Sequence, residues 1–192
     1  MKEGKIIIFS APSGTGKSTV IKELMKDPSL NLGFSVSATS RKPRGEEKDG
    51  REYYFLTPEE FDRRVKAGEF VEWEEVYAGT CYGTLESEAE RVTGNGLNLV
   101  MDIDVKGALN VKKRFGDRAL SIFILPPSKE ELEKRLRGRN TDSDDAIARR
   151  LAKADYELGF ADQFDVQCVN GALSECVDKV KGEIRKFIGE AK

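Results

Sequence analysis

The chain has 192 residues, of which 39% are hydrophobic and 34% are charged, and its formal net charge is −2. This length predicts a single domain with a substantial hydrophobic core, and the near-neutral charge argues against a nucleic-acid partner. There is no histidine, which excludes serine–histidine and cysteine–histidine catalysis and every histidine-ligated metal. Any catalysis must therefore rely on charge, positioning and a hard metal ion.

The cysteines and the first residues favour a cytoplasmic location. Three cysteines are an odd number without a C-x-x-C spacing, so we expect reduced thiols in a reducing compartment. The N-terminal Met-Lys-Glu-Gly-Lys leads directly into a strand-like segment, whereas a secretory signal has an apolar region of about 7–15 residues. No window is apolar enough to span a membrane. We therefore expect a cytoplasmic protein without a membrane partner.

The first predicted strand, loop and helix carry a phosphate-binding pattern. Ile6–Phe9 is short, apolar and rich in β-branched residues, which is typical of a strand buried on both faces. Residues 11–18 read Ala-Pro-Ser-Gly-Thr-Gly-Lys-Ser and match the phosphate loop G-x-x-x-x-G-K-[ST], with alanine in the first glycine position. The segment that follows has helical spacing, with an apolar face formed by Val20, Ile21, Leu24 and Met25.

This loop predicts a nucleotide site. Its backbone N–H groups would bind phosphate oxygens, Lys17 would reach the β- and γ-phosphates, and Ser18 would offer a hydroxyl ligand to Mg²⁺. The alternative is a glycine-rich turn between a core strand and a core helix. The nucleotide interpretation is favoured because the complete Gly-Lys-Ser-Thr lies between the strand and the helix that the motif requires. We expect Ala11 to be tolerated if its φ angle is negative.

Residues 35–86 form a predicted α+β insertion, richer in aromatic residues and short strands than its flanks. Thr57 and Glu60 predict a helix start with a capping box, and the helix should end by Gly68. The segments with strand character in and before this insertion are Phe34–Ser37, Glu52–Phe55, Phe70–Trp73 and Val76–Tyr77. Insertions of this kind commonly carry function on a rigid scaffold.

The main sheet is expected to resume at Leu97–Asp104, an apolar strand that ends in two acids. Asp102 lies at the carboxyl end of this strand, where it could bind Mg²⁺ directly or through water. An acid that only marks the solvent boundary is the alternative, but the phosphate loop favours the metal interpretation. Leu120–Leu125 and Val166–Val169 are further predicted strands, and their alternation with helices predicts a parallel sheet flanked by helices.

Two later helices have clear sequence signals. Ser128 and Glu131 predict a second capping box. The last helix is expected to bury one face, formed by Leu173, Val177, Val180, Ile184 and Phe187.

The arginines of functional interest fall in two separated clusters. One contains Arg41 and Arg44, and the other contains Arg135, Arg139, Arg149 and Arg150. Surface ion pairs, worth about 0–1 kcal/mol each, are the alternative and are favoured for Arg149 or Arg150 taken singly. Guanidinium groups bind phosphate oxygens in pairs, so two clusters favour two phosphate-bearing ligands or one long one. This argues for a kinase that holds donor and acceptor together rather than a nucleotide switch or a motor.

The phosphate loop is shared with many families, whereas the Ser-Arg-x-Pro-Arg run at residues 40–44, followed by Glu-Tyr, Glu-Trp and Tyr-Gly-Thr, is more specific. With these motifs the sequence resembles the guanylate kinase family over nearly its whole length. The matching segments are residues 10–19, 34–44, 50–55, 69–73, 82–84, 102–104, 135–139 and 150–151.

The resemblance implies one domain over residues 1–192, an α/β P-loop kinase core whose parallel sheet is flanked by helices, with a small α+β insertion and a lid. The implied subregions are a core of residues 1–34, 87–134 and 151–192, a GMP-binding insertion of residues 35–86, and an arginine-rich lid of residues 135–150. Mg²⁺ would be the cofactor of this domain, and ATP and GMP its substrates.

The site residues that the resemblance implies form three groups. The ATP-binding residues are Ala11, Pro12, Ser13, Gly14, Thr15, Gly16, Lys17, Ser18, Thr19 and Asn170. The GMP-binding residues are Ser37, Glu72, Thr84 and Asp104 for the base, and Arg41, Arg44, Tyr53 and Tyr82 for the phosphate. The catalytic residues are Lys17, Arg135, Arg139 and Arg150, with Ser18 and Asp102 at the metal.

The implied reaction is the reversible, in-line transfer of the ATP γ-phosphoryl group to GMP, giving ADP and GDP. The acceptor phosphate is already anionic, so no general base is needed. One alternative is a binding module for phosphorylated protein segments, which predicts a degraded phosphate loop or a missing metal acid. Another is a kinase of a different phosphate acceptor, against which Glu72 and Asp104 argue only through the resemblance. The sequence leaves open whether the protein is a monomer or a homo-oligomer.

Overall fold

The structure, a computed structural model, describes residues 4–77, 79–138 and 143–189. Its strands are β1 (Ile6–Ser10), β2 (Leu32–Phe34), β3 (Ala38–Thr39), β4 (Tyr54–Phe55), β5 (Phe70–Tyr77), β6 (Thr80–Leu85), β7 (Asn98–Asp102), β8 (Ala119–Leu125) and β9 (Val166–Val169). Its α-helices are α1 (Lys17–Leu24), α2 (Pro58–Lys66), α3 (Glu86–Gly94), α4 (Val105–Phe115), α5 (Lys129–Arg137), α6 (Asp144–Leu158) and α7 (Leu173–Ile188).

The main sheet consists of five parallel strands in the order β2-β7-β1-β8-β9. Its central strand β1 is buried on both faces, as its apolar sequence predicts. Ile6 and Ile8 lie in one hydrophobic cluster with residues of α3 and α4, and Ile7 and Phe9 lie in another with residues of α1 and α7. The predicted parallel sheet between helical layers is therefore confirmed.

The carboxyl ends of these parallel strands meet at one edge of the sheet, which is where ligands bind in open α/β folds. Strand β1 leads into the phosphate loop at this edge, and the neighbouring strand β7 ends there with Asp102. Phe9 lies opposite Asp102 in the register of the two strands. The topology thus places the predicted metal acid beside the predicted phosphate loop.

A second sheet of four short strands, in the order β4-β3-β6-β5, lies between β2 and α3 in the chain. The β3–β4 pair is parallel, and β6 pairs antiparallel with both β3 and β5. Helix α2 covers this sheet through Phe61, whose ring centroid lies 4.6 Å from that of Phe70. A separate small core therefore supports the second sheet.

The strand predicted at Phe34–Ser37 is wrong. Strand β2 ends at Phe34, β3 begins at Ala38, and residues 35–37 connect the two sheets. The reason is a change of backbone partner, because the Val36 N–H donates to the carboxylate of Glu88 at 2.9 Å instead of to a neighbouring strand. The segments predicted at Phe70–Trp73 and Val76–Tyr77 form one strand, β5, with local irregularities in its pairing.

The two predicted helix starts are confirmed, although each capping box is only half formed. The Thr57 hydroxyl accepts the backbone N–H of Glu60 at 3.1 Å, and the Ser128 hydroxyl accepts that of Glu131 at 3.1 Å. Both glutamate carboxylates pair with arginines about one turn further along their helices. Charge-assisted bonds to guanidinium groups are stronger than bonds to a neutral backbone N–H.

The buried face of α7 differs from the predicted one at its first position. Cys176, Val180 and Ile184 are buried, whereas Leu173 is 37% exposed because it is the first residue of the helix. Within the described parts of the chain, none of the helices combines the length and the apolar character needed to cross a bilayer.

Candidate active site

One cavity of about 530 Å³ lies between the phosphate loop, the end of β7 and the second sheet. The predicted site residues in its wall are residues 11–19 together with Ser37, Tyr53, Glu72, Tyr82, Asp102 and Asp104. Residues assigned to the ATP site and residues assigned to the GMP site therefore face one cleft.

The phosphate loop has the backbone shape that its glycines allow. Gly14 and Gly16 have φ angles of 95° and 88°, in the left-handed region that disfavours side chains. The fully buried Thr15 donates its hydroxyl to the carbonyl of Pro12 at 2.9 Å. The φ angle of Ala11 is not positive, so alanine fits there without strain. Helix α1 begins directly after the loop, which places the positive end of its dipole at the cleft.

Lys17 Nζ forms an ion pair with Asp102 Oδ1, and the two side chains are 18% and 25% exposed. Ser18 follows on the exposed side of the first turn of α1. A carboxylate and a hydroxyl fit Mg²⁺, which is usually bound by one or two protein oxygens together with phosphate oxygens. Among the described residues there is no group of three or more acidic, cysteine or histidine side chains that could hold a metal.

The guanidinium group of Arg41, next to strand β3, contacts several side chains. Its Nη1 and Nη2 donate to the carboxylate of Glu47 at 2.6 and 2.8 Å, and its Nε donates to the Tyr82 hydroxyl at 3.1 Å. The guanidinium also lies 5.0 Å from the centroid of the Tyr53 ring. The hydrogen bonds from Arg41 lower the pKa of Glu47 to about 2. Arg44 is exposed, and its backbone N–H donates to Glu47 at 2.8 Å.

Strands β5 and β6 of the second sheet present buried polar groups with unused bonding capacity. Glu72 and Thr84 are cross-strand partners on β5 and β6. Glu72 Oε1 and Thr84 Oγ1 are buried and have no hydrogen-bond partner among the described residues. Burial raises the pKa of Glu72 to about 7, against an opposing effect of the neighbouring Thr84, and the nearby Asp104 carboxylate adds to the increase. Buried unpaired groups of this kind are costly unless a ligand satisfies them.

Asp104 lies at the start of α4, and its Oδ1 accepts the backbone N–H groups of Lys106 and Gly107 at 2.8 and 2.9 Å. This helix cap explains why β7 ends at Asp102 instead of at Asp104 as predicted. It also fixes the Asp104 carboxylate in the wall of the cavity.

Two of the predicted lid arginines contact the phosphate loop. Arg135 Nη1 and Nη2 donate to the carbonyls of Thr15 and Asn170 at 3.4 and 3.1 Å. Arg150 Nη1 donates to the Ser13 hydroxyl at 3.0 Å. The third arginine, Arg139, lies outside the described residues.

Asn170 holds the phosphate loop through a side-chain hydrogen bond. Its side chain is 7% exposed, and its Nδ2 donates to the Thr15 carbonyl at 2.7 Å. A Cβ at Gly16 would lie 2.5 Å from this nitrogen, so the motif glycine also makes room for Asn170. A contact between Asn170 and adenine stays a prediction.

Some polar residues in this region were not identified from the sequence as candidate site residues, and three of them are of functional interest. Ser35 lines the cavity with a buried hydroxyl that lacks a partner among the described residues. Glu157 lines it from α6, and burial raises its pKa. Glu47 binds Arg41. Ser35 is two residues before Ser37 in a serine-rich segment, which was a usable signal, whereas the two glutamates resemble ordinary surface acids in sequence.

Comparisons with known proteins agree with this geometry. A family model described as guanylate kinase matches residues 3–187. The guanylate kinase of Porphyromonas gingivalis is 58% identical over 186 residues, covering 97% of this chain and 99% of that protein. The guanylate kinase of Bacteroides thetaiotaomicron is 54% identical over 187 residues, covering 97% and 91%. The crystal structure of guanylate kinase from Anaplasma phagocytophilum superimposes with a TM-score of 0.76 at 33% identity, covering 97% of this chain and 87% of that one. The chain therefore belongs to the guanylate kinase family.

Proposed function

We propose that this protein transfers the γ-phosphoryl group of Mg·ATP to GMP, reversibly, giving ADP and GDP. The observation that carries the proposal is one cavity lined by both the phosphate loop and the buried Glu72, whose Oε1 has no hydrogen-bond partner among the described residues. Such a cleft can hold two nucleotides with their phosphates directed toward each other. Its wall is formed by both sheets, so closing it would exclude water from the transferring group.

The donor phosphates lie on the loop of residues 11–19 in this proposal. The loop and the N-terminus of α1 supply N–H groups, and Lys17 exchanges Asp102 for phosphate oxygens. Ser18 and Asp102 hold the metal, with Asp102 acting directly or through a water molecule. Mg²⁺ supplies charge neutralisation at the β- and γ-phosphates.

The acceptor base lies against Glu72, Thr84, Asp104 and Ser37. Guanine presents its N1–H and N2–H₂ groups as donors, which the carboxylates of Glu72 and Asp104 can accept, while hydroxyl groups serve O6. Adenine lacks both donors and would leave buried carboxylates unpaired. A mismatch of this kind can reduce kcat/KM by factors of about 10⁴–10⁵.

The acceptor phosphate lies near Arg41, Arg44, Tyr53 and Tyr82, beside the second sheet. The Arg41 guanidinium is already oriented by Tyr82 and by the carboxylate of Glu47. Phosphate oxygens suit the same bidentate geometry that this carboxylate uses. The binding of GMP would therefore rearrange or replace the contact between Arg41 and Glu47.

Transfer itself needs alignment and charge stabilisation. A GMP phosphate oxygen, ionised near neutral pH, attacks the γ-phosphorus in line with the departing ADP oxygen. Lys17, Arg135, Arg139 and Arg150 neutralise the charge on the transferring group and its neighbours. In this proposal residues 35–86 act as a GMP-binding insertion, and residues 135–150 act as a lid over the core.

The proposed cellular location and the expected lack of a nucleic-acid partner rest on the amino-acid composition. Three cysteines without a C-x-x-C spacing favour a reducing, cytoplasmic compartment, and the net charge of −2 gives no reason for a nucleic-acid partner. Cell fractionation that recovers the protein outside the cytoplasm would contradict the location.

The test is a coupled assay with Mg·ATP and each of GMP, AMP, CMP and UMP at equal concentration. GMP should be phosphorylated far faster than the other three, and omission of Mg²⁺ should stop turnover. Turnover of AMP at the rate of GMP would overturn the base-binding assignment. Equilibrium titrations should also show ATP and GMP binding together, and mutual exclusion of the two nucleotides would overturn the two-site cleft.

A further inference from the structure

Gly107, the third residue of α4, lies between the two carboxylates assigned to the guanine base. Its backbone N–H donates to Asp104 Oδ1 at 2.9 Å. On its other side, a Cβ built at Gly107 would lie 2.8 Å from Glu72 Oε2 and 3.5 Å from Glu72 Cδ. Gly107 therefore binds Asp104 through its backbone N–H, and its missing side chain leaves space for the carboxylate of Glu72.

The backbone at Gly107 does not explain why the residue is glycine. It lies in a regular α-helix and is not among the glycines with positive φ. Glycine destabilises a helix interior relative to alanine because it loses more conformational entropy on folding. Its use at a buried helical position therefore points to a need for space.

The space is occupied by the end of the Glu72 side chain. The nearest atom to the built Cβ is a carboxylate oxygen, while the next neighbour from a different residue is the Ile103 Cδ1, at an ordinary 3.7 Å. The Glu72 backbone is held by the pairing of β5 with β6, and its side chain is 8% exposed. A Cβ at position 107 would therefore displace the carboxylate and leave the fold intact.

We propose that Gly107 is a positioning residue for base recognition, since its missing side chain lets Glu72 hold its carboxylate beside that of Asp104. The inference rests on the proposed role of Glu72 in binding GMP. Any side chain at position 107 shifts Glu72 Oε1, the acceptor without a partner among the described residues, away from the guanine donors. Gly107 thereby contributes to the preference for a base with two adjacent N–H donors.

The test compares Gly107→Ala with a matched control, Gly182→Ala. Gly182 lies within α7, and a Cβ there would meet no described atom within 4 Å. Gly107→Ala should raise the KM for GMP by about tenfold or more, because hydrogen bonds to charged groups are involved. The KM for ATP should change by less than about twofold, and Tm should not fall. Gly182→Ala should leave both KM values unchanged.

A double-mutant cycle separates positioning from a general structural effect. Glu72→Asp shortens the side chain by one methylene, which withdraws the carboxylate from the position of the added methyl group. In the Glu72→Asp background, Gly107→Ala should therefore change the KM for GMP much less than in the parent. Equal effects in both backgrounds, or an unchanged KM for GMP in Gly107→Ala, would overturn the inference while leaving the proposed function intact. Failure of the parent protein to use GMP would instead overturn the proposed function.

Discussion

Lys17 and Asp102 form an ion pair at the junction of the phosphate loop and strand β7. The two residues are assigned to different parts of the same substrate, since Lys17 is expected to bind phosphate and Asp102 to bind Mg²⁺. Binding of Mg·ATP must therefore separate them and give each an oppositely charged partner in the ligand. The pair is partly exposed, so its contribution to stability is small compared with its effect on activity.

Lys17→Met should reduce turnover by a factor of about 10²–10³ or more, because it removes a preorganised positive charge from the transferring phosphoryl group. Its thermal transition should stay within about 2 °C of the parent. Lys22→Met, an exposed change on the same helix, is the matched control and should retain full activity. Steady-state kinetics and calorimetry measure both effects. Substantial activity in Lys17→Met would contradict the assignment of the phosphate loop to ATP binding.

Asp102→Asn should raise the Mg²⁺ concentration needed for half-maximal velocity, since a neutral amide is a weaker ligand for a hard cation than a carboxylate. A titration of velocity against free Mg²⁺ at saturating nucleotide measures this. Asp117→Asn, at an exposed position in the turn after α4, should behave like the parent. An unchanged Mg²⁺ requirement in Asp102→Asn would show that this carboxylate does not hold the metal.

Arg41→Met should raise the KM for GMP by about tenfold or more, because a charged hydrogen bond contributes about 1.5–3 kcal/mol. The KM for ATP should stay within about twofold, since Arg41 is assigned to the acceptor phosphate and contacts Glu47, Tyr82 and Tyr53. Arg63→Met on α2 removes a solvent-exposed arginine from the same region and serves as control. Equal increases in both KM values would indicate a general structural effect instead of loss of a phosphate ligand.

Glu72→Gln should increase stability at alkaline pH. Burial raises the pKa of Glu72 from 4.5 to about 7, so between these values the folded chain binds a proton that the unfolded chain has released. The contribution of Glu72 to stability therefore decreases as the pH rises from about 4.5 to 7. The neutral amide of Glu72→Gln does not ionise, so the variant keeps the stability that the parent loses at high pH. Its Tm at pH 8 should therefore be higher than that of the parent by at least about 2 °C. The gain should be much smaller at pH 5.

The same substitution should impair GMP binding. In the proposed binding mode the ionised carboxylate accepts the guanine donors, so the KM for GMP in the parent should fall as the pH rises through about 7. Glu72→Gln should raise this KM at all pH values and remove the component of the profile that Glu72 contributes. Glu59→Gln, an exposed change on α2, controls for the loss of one charge. A Glu72→Gln variant that binds GMP like the parent would show that Glu72 does not contact the base.

Features that depend on neighbours along the chain could be predicted from the amino-acid order alone. The phosphate loop follows from residues 11–18 because its glycines, lysine and serine act within one strand–turn–helix unit. The helix starts at Thr57 and Ser128 follow from local hydrogen bonds to the first turn. The apolar run of β1 indicated burial on both faces, because a strand covered on one face alone would alternate apolar and polar residues.

Features that depend on distant segments became visible only in the folded chain. Arg41 donates to the hydroxyl of Tyr82, which lies 41 positions further along the chain, and nothing local indicates this contact. Glu72 looks like a strand acid in sequence, yet the approach of α4 buries it and removes the room for a side chain at Gly107. Burial, pairing and steric room are set by which elements meet in space, and the free energy of a charge depends on that surrounding more than on its neighbours in the chain.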